Sequence, residues 1–275
     1  MRVVALIQAR VGSIRFPGKV LRPILGRPMI EILLARLSKS IEIDEIVVAT
    51  STATQDDKLQ LLVESLGYQC TRGSEKNVLG RFYESAQTMQ ADTIVRISGD
   101  CPLVDPELVD KCIQAFKKDK LDYFSNVDPR SYPDGLDIEV FSFASLDQAN
   151  KEANSEYDRE HVTPYIRNSS NFLRGSIKHK QDLSELRWTV DEPEDLAVIN
   201  RVYEHFAPDI YFNWKQVHQL QISHNQLFAD NQHIKNNEGL AMSIGQKLYK
   251  RAKKAIPGGN MLLSKRPEMF LPEKW

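Results

Sequence analysis

Residues 3–19, with the sequence VVALIQARVGSIRFPGK, decide the fold. The opening VVALI is an apolar run that is typical of a strand buried on both faces of a parallel sheet. In open α/β sheets, the loops that follow the carboxyl ends of the strands hold ligands. The stretch therefore predicts an α/β sheet with a cationic binding loop at its edge. The loop combines glycines with basic residues: Arg10, Gly12, Arg15, Gly18 and Lys19.

The same alternation of strands and helices continues along the chain. Predicted strands cover 46–50 and 93–98, with further candidates at 137–141 and 186–190, and predicted helices follow Pro28 and cover 78–89 and 106–118. Strands separated by helices of this length predict right-handed βαβ units and a mostly parallel sheet.

The character of the sequence changes near residue 225. The stretch FADNQHIKNNEG is polar and poor in β-branched residues, which is typical of a linker. We therefore divide the chain into a main domain at 1–225, a linker at 226–242 and a short terminal segment at 243–275.

The composition favours a protein without a strong overall charge. Hydrophobic residues make up 41% and charged residues 27% of the 275 residues, and the formal net charge is −1. Such a balance gives no general attraction for nucleic acid or for an anionic membrane. The three cysteines lack CxxC spacing, which argues against a disulfide framework and a zinc site. With no apolar stretch long enough for a membrane span, we expect a soluble, cytoplasmic protein.

The loop after the first strand has the composition of a triphosphate-binding site. Glycines let the backbone approach a phosphate, and fixed cations neutralise the charge that develops on a leaving pyrophosphate. The loop is not a Walker A motif, because Val20 follows Lys19 where that motif has serine or threonine. A solvated basic loop is the alternative interpretation.

Two aspartates follow predicted strands and are candidate ligands for a hard cation such as Mg²⁺. Asp100 lies in ISGDCP, just after the strand at 93–98, and Asp191 follows the candidate strand at 186–190. The alternatives are a turn or cap role for Asp100, and an N-cap role for Asp191 in a helix that begins at Pro193.

Candidate sugar ligands lie further along the chain. Asp137 and Glu139 are two positions apart on a predicted strand, so both side chains would project from one face and could hold sugar hydroxyls. A solvent-facing edge strand is the alternative. Arg159, in REHVTPY, is a candidate contact for an acidic substrate. His161 has no serine or cysteine partner at a spacing that would indicate a nucleophile triad.

The chain resembles the cytidylyltransferase family, which makes CMP-activated acidic sugars. It resembles most closely the branch named after spore-coat polysaccharide biosynthesis protein F. The shared blocks keep the family's order: IQARVGSIRFPGKVL (7–21), TRGSEKNVLGRFYESA (71–86), VRISGDCPLVDP (95–106), YPDGLDIEVF (132–141), REHVTPYI (159–166) and RWTVDEPEDL (187–196).

The resemblance implies a Rossmann-like, three-layer α/β/α nucleotidyltransferase with Mg²⁺ as cofactor. Such an enzyme transfers CMP from CTP to a sugar and releases pyrophosphate, and its relatives commonly form homodimers. By resemblance, Asp100 and Asp191 match metal ligands, and Arg10, Lys19 and Asp100 carry catalysis. The positions expected to contact the nucleotide are Gln8, Ala9, Arg10, Gly12, Ser13, Arg15, Lys19, Arg72 and Asp100.

Departures from the family pattern concern the sugar acceptor more than the chemistry. Gln8 stands where synthetases for sialic acid and Kdo usually have proline, and Asn77 stands where this branch often has aspartate. The family resemblance, and not these two positions, implies an acidic or amino sugar of a surface polysaccharide as the acceptor.

The terminal segment has a resemblance of its own. LYKRAKKAIPGGN (248–260) is similar to the opening of glutamate-1-semialdehyde aminotransferase and related PLP enzymes. This predicts a fusion to a PLP-dependent aminotransferase, of which 243–275 would be the truncated start. We assign no aminotransferase activity to these 275 residues.

Other functions fit the same residues. A sugar-phosphate nucleotidyltransferase that uses GTP or UTP would need a similar triphosphate loop. A glycosyltransferase of similar fold would consume a nucleotide sugar, and a non-catalytic module of a larger fusion would bind nucleotide without Mg²⁺-dependent release of pyrophosphate.

Overall fold

The computed structural model describes residues 1–234, and its compact unit spans Met1–Gln232. In this part of the chain, a seven-stranded mixed sheet runs in the order β5-β4-β1-β6-β8-β7-β9. The strands are β1 Val3–Gln8, β2 Pro23–Ile24, β3 Arg27–Pro28, β4 Glu45–Ser51, β5 Gln69–Gly73, β6 Thr93–Ser98, β7 Tyr123–Ser125, β8 Glu139–Ser142 and β9 Arg174–Ser176. Strands β2 and β3 form a separate small hairpin.

The helices lie between these strands and after the last of them. They are α1 Met29–Leu37, α2 Asp57–Ser65, α3 Val78–Thr88, α4 Pro106–Asp119, α5 Phe143–Glu152, α6 Glu156–His161, α7 Pro164–Asn168, α8 Pro193–Phe206 and α9 Trp214–Ser223. Short 3₁₀ helices cover Lys19–Leu21, Thr54–Asp56 and Asn225–Asn231. None of the helices in residues 1–234 has the length and apolar character that crossing a bilayer requires.

The predicted α/β fold with a mostly parallel sheet is confirmed. Strands β5, β4, β1 and β6 are parallel neighbours, while β8 runs antiparallel to both β6 and β7. Alternate residues of β1 enter two different cores: Val3, Ala5 and Ile7 pack with α1, α4 and α8, whereas Val4 and Leu6 pack with α3 and α5. Because both faces of the sheet are covered by helices, the domain has three layers.

The strand order reverses between β1 and β6. The chain leaves β1 toward β4 and β5, then returns to add β6 on the other side of β1. Ligands in open α/β sheets bind at such a switch point, beyond the carboxyl ends of the strands. The loops after β1 and β6 therefore face the expected site, and they touch: the Gly99 N–H donates to the Gln8 carbonyl at 2.9 Å.

The candidate strand at 186–190 is not a strand in the structure. Trp188 and Val190 are buried, but their N–H groups donate to the carbonyls of Asp134 and Asp100, in loops. Only a single bridge, between Asp134 and Arg187, forms there. Likewise β8 begins at Glu139, so Asp137 precedes the strand in which it was predicted. The apolar residues at 186–190 are therefore buried as in a strand, but their backbone groups bond to loops and not to a neighbouring strand.

The first residues assigned to a linker are folded onto the domain. Asn225–Asn231 forms a 3₁₀ helix in which Phe228 and Asn231 are buried. The polar composition concealed this packing, because a single aromatic side chain anchors the turn. The rest of the predicted linker and the segment 243–275, with its resemblance to aminotransferases, lie outside the described residues beyond Ile234, so this domain division stays a prediction.

Gly99 is the position at which the two loops are closest. A Cβ atom there would lie 2.8 Å from Ala9 Cβ and 3.0 Å from the Gln8 carbonyl oxygen. We predict that Gly99→Ala lowers the free energy of unfolding by about 1–3 kcal/mol, the usual cost of overpacking. Gly12→Ala is the control, since its Cβ would meet only the end of the Gln55 side chain, which can move. Equal stability of the two variants in urea denaturation would contradict this role.

Candidate active site

The loop after β1 is fixed by a buried carboxylate. Asp56 is fully buried and accepts hydrogen bonds from the Val11 N–H at 2.7 Å and from the N–H and hydroxyl groups of Ser51. The loop returns on itself where the Gly18 N–H donates to the Val11 carbonyl at 2.9 Å. Gly18 has φ +75°, which glycine adopts without strain. Lys19 is thereby turned back toward the sheet.

The Lys19 ammonium group joins the two predicted metal ligands. Its Nζ lies 2.7 Å from Asp100 Oδ2, 2.8 Å from Asp191 Oδ1 and 2.8 Å from the Val190 carbonyl oxygen. Lys19 is only 8% exposed. Asp100 and Asp191, which are far apart in the sequence, therefore point at one place.

The charges in this cluster stabilise one another. Burial lowers the pKa of Lys19, but the nearby charges of Asp100 and Asp191 outweigh burial and raise it. Burial raises the pKa of Asp100, but the charge and hydrogen bond of Lys19 hold it at about 2. Lys19 and Asp100 are consequently both charged at neutral pH.

Asp191 is positioned by a second buried carboxylate. Asp195 is fully buried and pairs with Arg187 through bonds of 2.7 and 2.8 Å. It also accepts the N–H groups of Asp191 and Glu192, each at 2.9 Å. Glu192, not Asp191, is the N-cap residue of α8. The alternative of Asp191 as a helix cap is therefore wrong, and its carboxylate stays available to Lys19.

The arrangement fits a divalent cation that is shared with a substrate. Both carboxylates already contact one cationic atom, so they are close enough to bind a single metal ion. Mg²⁺ in phosphate-transfer sites is usually held by one or two carboxylates together with substrate phosphates. In residues 1–234 there is no cluster of three or more acidic, histidine or cysteine ligands. Asp100 and Asp191 would thus be the protein ligands, and phosphate oxygens and water would complete the shell.

The cations of the loop divide between the two sides of the crevice. Arg15 joins the Lys19 side, with Nη2 2.8 Å from Asp191 Oδ2. Arg10 points the other way, toward the β5–α3 loop, where Nη1 lies 2.8 Å from Glu75 Oε1. Both side chains remain about two-fifths exposed, at 40% for Arg10 and 45% for Arg15, so both can exchange these partners for phosphate.

Comparison with known proteins agrees with this geometry. The model of the cytidylyltransferase family matches residues 4–235. The chain belongs to the cytidylyltransferase family. The spore coat polysaccharide biosynthesis protein SpsF of Bacillus subtilis is 35% identical over 210 residues, which cover 74% of this chain and 86% of SpsF.

Solved structures share the fold. The structure of a cytidylyltransferase from Leptospira borgpetersenii has a TM-score of 0.81 at 30% identity, and the match covers 86% of this chain and 100% of that one. A CMP-2-keto-3-deoxy-manno-octonic acid synthetase, solved with CTP, has a TM-score of 0.60 at 19% identity over 75% of this chain and 100% of the other. This chain is a nucleotidyltransferase of the cytidylyltransferase type.

The remaining predicted nucleotide-binding positions of this cytidylyltransferase have different surroundings. Gly12 and Ser13, together with Gly18, Arg22 and Lys58, line a cavity of about 580 Å³. The Ser13 hydroxyl accepts a hydrogen bond from the Phe16 N–H at 3.4 Å. Ala9 is buried against Gly99. Gln8, at the end of β1, accepts a hydrogen bond from Arg96.

Arg72 does not point at the triphosphate loop. Its guanidinium donates to the carbonyls of Ser51 and Ala53 and to the side chains of Asp57 and Gln60. These contacts tie β5 to the segment after β4. These contacts engage the Arg72 guanidinium within the protein, and its contact with the nucleotide stays a prediction.

The predicted sugar ligands have separate surroundings. Asp137 makes a two-point ion pair with Arg130, at 2.8 and 2.7 Å. Burial raises the pKa of Asp137, the charge and hydrogen bond of Arg130 lower it, and the nearby charge of Asp100 adds to the rise. Burial and the charge of Asp137 also raise the pKa of the neighbouring Asp134 to about 7. Arg130, Asp134 and Asp137 thus form a polar group beside Asp100, one of the two predicted metal ligands.

Glu139 and Arg159 are engaged inside the protein. Glu139 is buried, and its oxygens accept hydrogen bonds from Arg96, Tyr123 and Thr163. Arg159 clamps Asn150, at the end of α5, through two bonds of 2.9 Å. Direct contact of Glu139 with a sugar does not fit this arrangement, because its oxygens are buried and already have protein partners. Arg159 is only half-buried, so its contact with an acidic substrate stays a prediction.

Sequence reasoning missed the residues that hold the site from behind. Asp56 and Asp195 look like helix-start residues in the sequence, and both are in fact buried anchors. Arg130 and Arg96 carry no motif of their own. Arg96 lies inside a family block and Arg130 lies just before one, which was the only signal for either residue. The partners of Arg96, Glu139 and Gln8, are distant in the chain.

The pairing of Asp100 predicts a dependence of stability on pH. The pKa of Asp100 is lower in the folded protein, about 2, than its ordinary value of 3.8, so its contribution is present above the ordinary pKa and is lost as the pH falls toward 2. We expect the free energy of unfolding to fall more steeply between pH 4 and 2 in the wild type than in Asp100→Asn. Asp119→Asn, at the exposed end of α4, is the control. Parallel curves for wild type and Asp100→Asn would contradict the pair.

Proposed function

We propose that this enzyme transfers CMP from CTP to a hydroxyl of a sugar and releases pyrophosphate, with Mg²⁺ as cofactor. The observation that carries the proposal is the convergence of Lys19, Asp100 and Asp191 at the switch point of the sheet. Family membership supports the choice of cytidine nucleotide.

The reaction needs positioning and charge neutralisation, and no covalent enzyme intermediate. A sugar oxygen attacks the α-phosphorus in line, the bond to the bridging oxygen breaks, and pyrophosphate leaves with that oxygen. When bound, Mg²⁺ would neutralise phosphate charge as a Lewis acid. Asp100 and Asp191 would hold it, together with phosphate oxygens.

The basic residues of the loop take the other part of the charge. Lys19 and Arg15 already lie at the carboxylates, and the arrival of the metal-bound nucleotide gives both of them phosphate oxygens as new partners. Arg10 reaches the opposite side of the crevice. The triphosphate is thereby held between the two groups of cations, with its leaving pyrophosphate neutralised.

The acceptor lies on the side of Arg130, Asp134 and Asp137. These side chains present both donors and acceptors beside Asp100, which suits a polyhydroxylated sugar with a charged substituent. We propose an acidic or amino sugar of a surface polysaccharide, as the relationship to SpsF suggests. Assembly as a homodimer and fusion to an aminotransferase are further parts of this proposal.

Pyrophosphate release tests the nucleotide and the acceptor together. CTP, UTP, GTP and ATP are each incubated with Mg²⁺ and with acidic eight- or nine-carbon sugars. We expect Mg²⁺-dependent release with CTP and with at least one acidic sugar. Release with GTP or UTP and not with CTP would contradict the cytidine assignment, and binding of CTP without release with any acceptor would contradict the proposed transfer.

Two substitutions separate the roles of the central cluster. We predict that Asp100→Ala abolishes turnover, and that Lys19→Ala lowers kcat by roughly 10² to 10³, the size seen when one preorganised donor is removed. Lys118→Ala, on an exposed turn of α4, is the control. Wild-type turnover in Asp100→Ala would refute the metal assignment, provided that the melting temperature shows both variants to be folded.

A further inference from the structure

A buried polar network runs from β7 to the last residue of β1. The Tyr123 and Thr163 hydroxyls donate to Glu139 Oε1 at 2.7 and 2.6 Å. Arg96 donates to Glu139 Oε2 through Nη1 and to Gln8 Oε1 through Nη2, the latter at 2.9 Å. The network thus leads from the protein interior to the crevice between the loops after β1 and β6.

The chemistry of arginine fixes the orientation of Gln8. A guanidinium group has donors only, so the Gln8 carboxamide must turn its oxygen to Arg96. Its Nε2 then points away from the network, and no described residue accepts a hydrogen bond from it. Gln8 is half-buried, and its backbone carbonyl accepts a hydrogen bond at 2.9 Å from the N–H of Gly99, the residue before Asp100. The free donor of Gln8 therefore belongs to a residue that adjoins the loop carrying Asp100.

The network is held rigidly from behind. Val162 has φ +71° and ψ −57°, and the Thr163 N–H donates to the His161 carbonyl at 2.9 Å, which together describe a classic γ-turn. This conformation is strained for a β-branched residue and persists where the surroundings enforce it. The residue after this strained position is Thr163, whose hydroxyl donates to Glu139. The strained turn therefore lies next to a hydrogen bond of the network.

Arg96, which holds Gln8, lies near enough to Arg81 for their charges to interact, and Arg10 does so as well. Arg81, on α3, is 2% exposed, and its Nη1 donates to the Ser74 carbonyl while its Nε has no partner. Burial, together with the charges of Arg10 and Arg96, lowers the pKa of Arg81 to about 10. Arg36 provides a contrast, because its equally buried guanidinium is satisfied by carbonyls of Leu103, Val104, Ile210 and Phe212. The positive side of the crevice thus favours an anionic group.

We propose that Gln8 donates a hydrogen bond from Nε2 to an anionic oxygen at the transfer centre, and that Arg96 and Glu139 are positioning residues that fix this orientation. The anionic oxygen belongs either to the α-phosphate of the nucleotide or to a carboxylate of the sugar. This inference rests on the proposed transfer of CMP. It gives a function to the position where the chain departs from the proline of related synthetases.

Gln8→Glu is the decisive variant. A glutamate keeps an acceptor for Arg96, so the structural contact survives, but it replaces the free donor with a negatively charged acceptor. CMP, which carries only the α-phosphate, is titrated calorimetrically, and the KM for the acidic sugar found active above is measured at saturating CTP. Gln8→Leu removes the donor without adding charge, and Gln87→Glu, on the exposed face of α3, controls for the change of charge.

The expected result is a loss of at least tenfold in Gln8→Glu and a smaller loss in Gln8→Leu, with melting temperatures near that of the wild type. A loss in CMP affinity assigns the donor to the α-phosphate, and a rise in KM for the sugar with unchanged CMP affinity assigns it to the sugar carboxylate. Wild-type values for both quantities in Gln8→Glu would overturn the inference. Absence of CMP binding by the wild type would instead overturn the proposed function.

Arg96→Lys tests the positioning role. Lysine keeps the positive charge beside Glu139 but cannot bridge Glu139 and Gln8 with the fixed fork of a guanidinium. We expect a three- to tenfold effect on the same quantity that Gln8→Leu changes, and no additional effect in the Gln8→Leu background. Full additivity of the two substitutions would contradict an action of Arg96 through Gln8.

Discussion

The contact of one lysine with two aspartates is the constraint on which the rest of this site depends. Lys19 comes from the loop after β1, Asp100 from the loop after β6 and Asp191 from the segment before α8. Like charges cannot be brought together at a sheet edge without a counter-ion, and the Lys19 ammonium supplies it. Under the proposed function, phosphates of the bound nucleotide would become new partners of Lys19, and both carboxylates would then be available to a metal ion.

Buried carboxylates behind the site convert this contact into fixed geometry. Asp56 anchors the triphosphate loop through the Val11 N–H, and Asp195 anchors Asp191 through its backbone and through Arg187. Neither Asp56 nor Asp195 needs to touch substrate. Each is fully buried with its oxygens satisfied, and for the buried ion pair of Asp195 with Arg187, removing one partner usually costs about 3–5 kcal/mol. The positions of the loop after β1 and of Asp191 are thus fixed by the hydrogen bonds of these two buried aspartates.

The sequence predicted the parts of this structure that rest on local patterns. The strand at 93–98 was placed correctly, as was the position of Asp100 beyond it, because an apolar run followed by glycine has few other interpretations. Residues 186–190 were misassigned, since a short buried stretch looks the same in the sequence whether its backbone pairs with a strand or with loops. Glu139 was assigned to the sugar from its position on a predicted strand, which gives the face of a side chain but not the partners that it meets in the fold. Contacts such as Arg96 with Gln8 join residues that are far apart in the chain, and no spacing encodes them.

The central claim is that Asp100 and Asp191 share one metal ion with the nucleotide while Lys19 turns to the phosphates. Crystals grown with Mn²⁺ and a non-hydrolysable CTP analogue test it directly, through anomalous difference density at the manganese edge. The account predicts a single strong peak within coordination distance of both carboxylates and of phosphate oxygens, with Lys19 displaced from between them. A manganese ion bound to phosphates alone, with Lys19 still bridging the two aspartates, would contradict it.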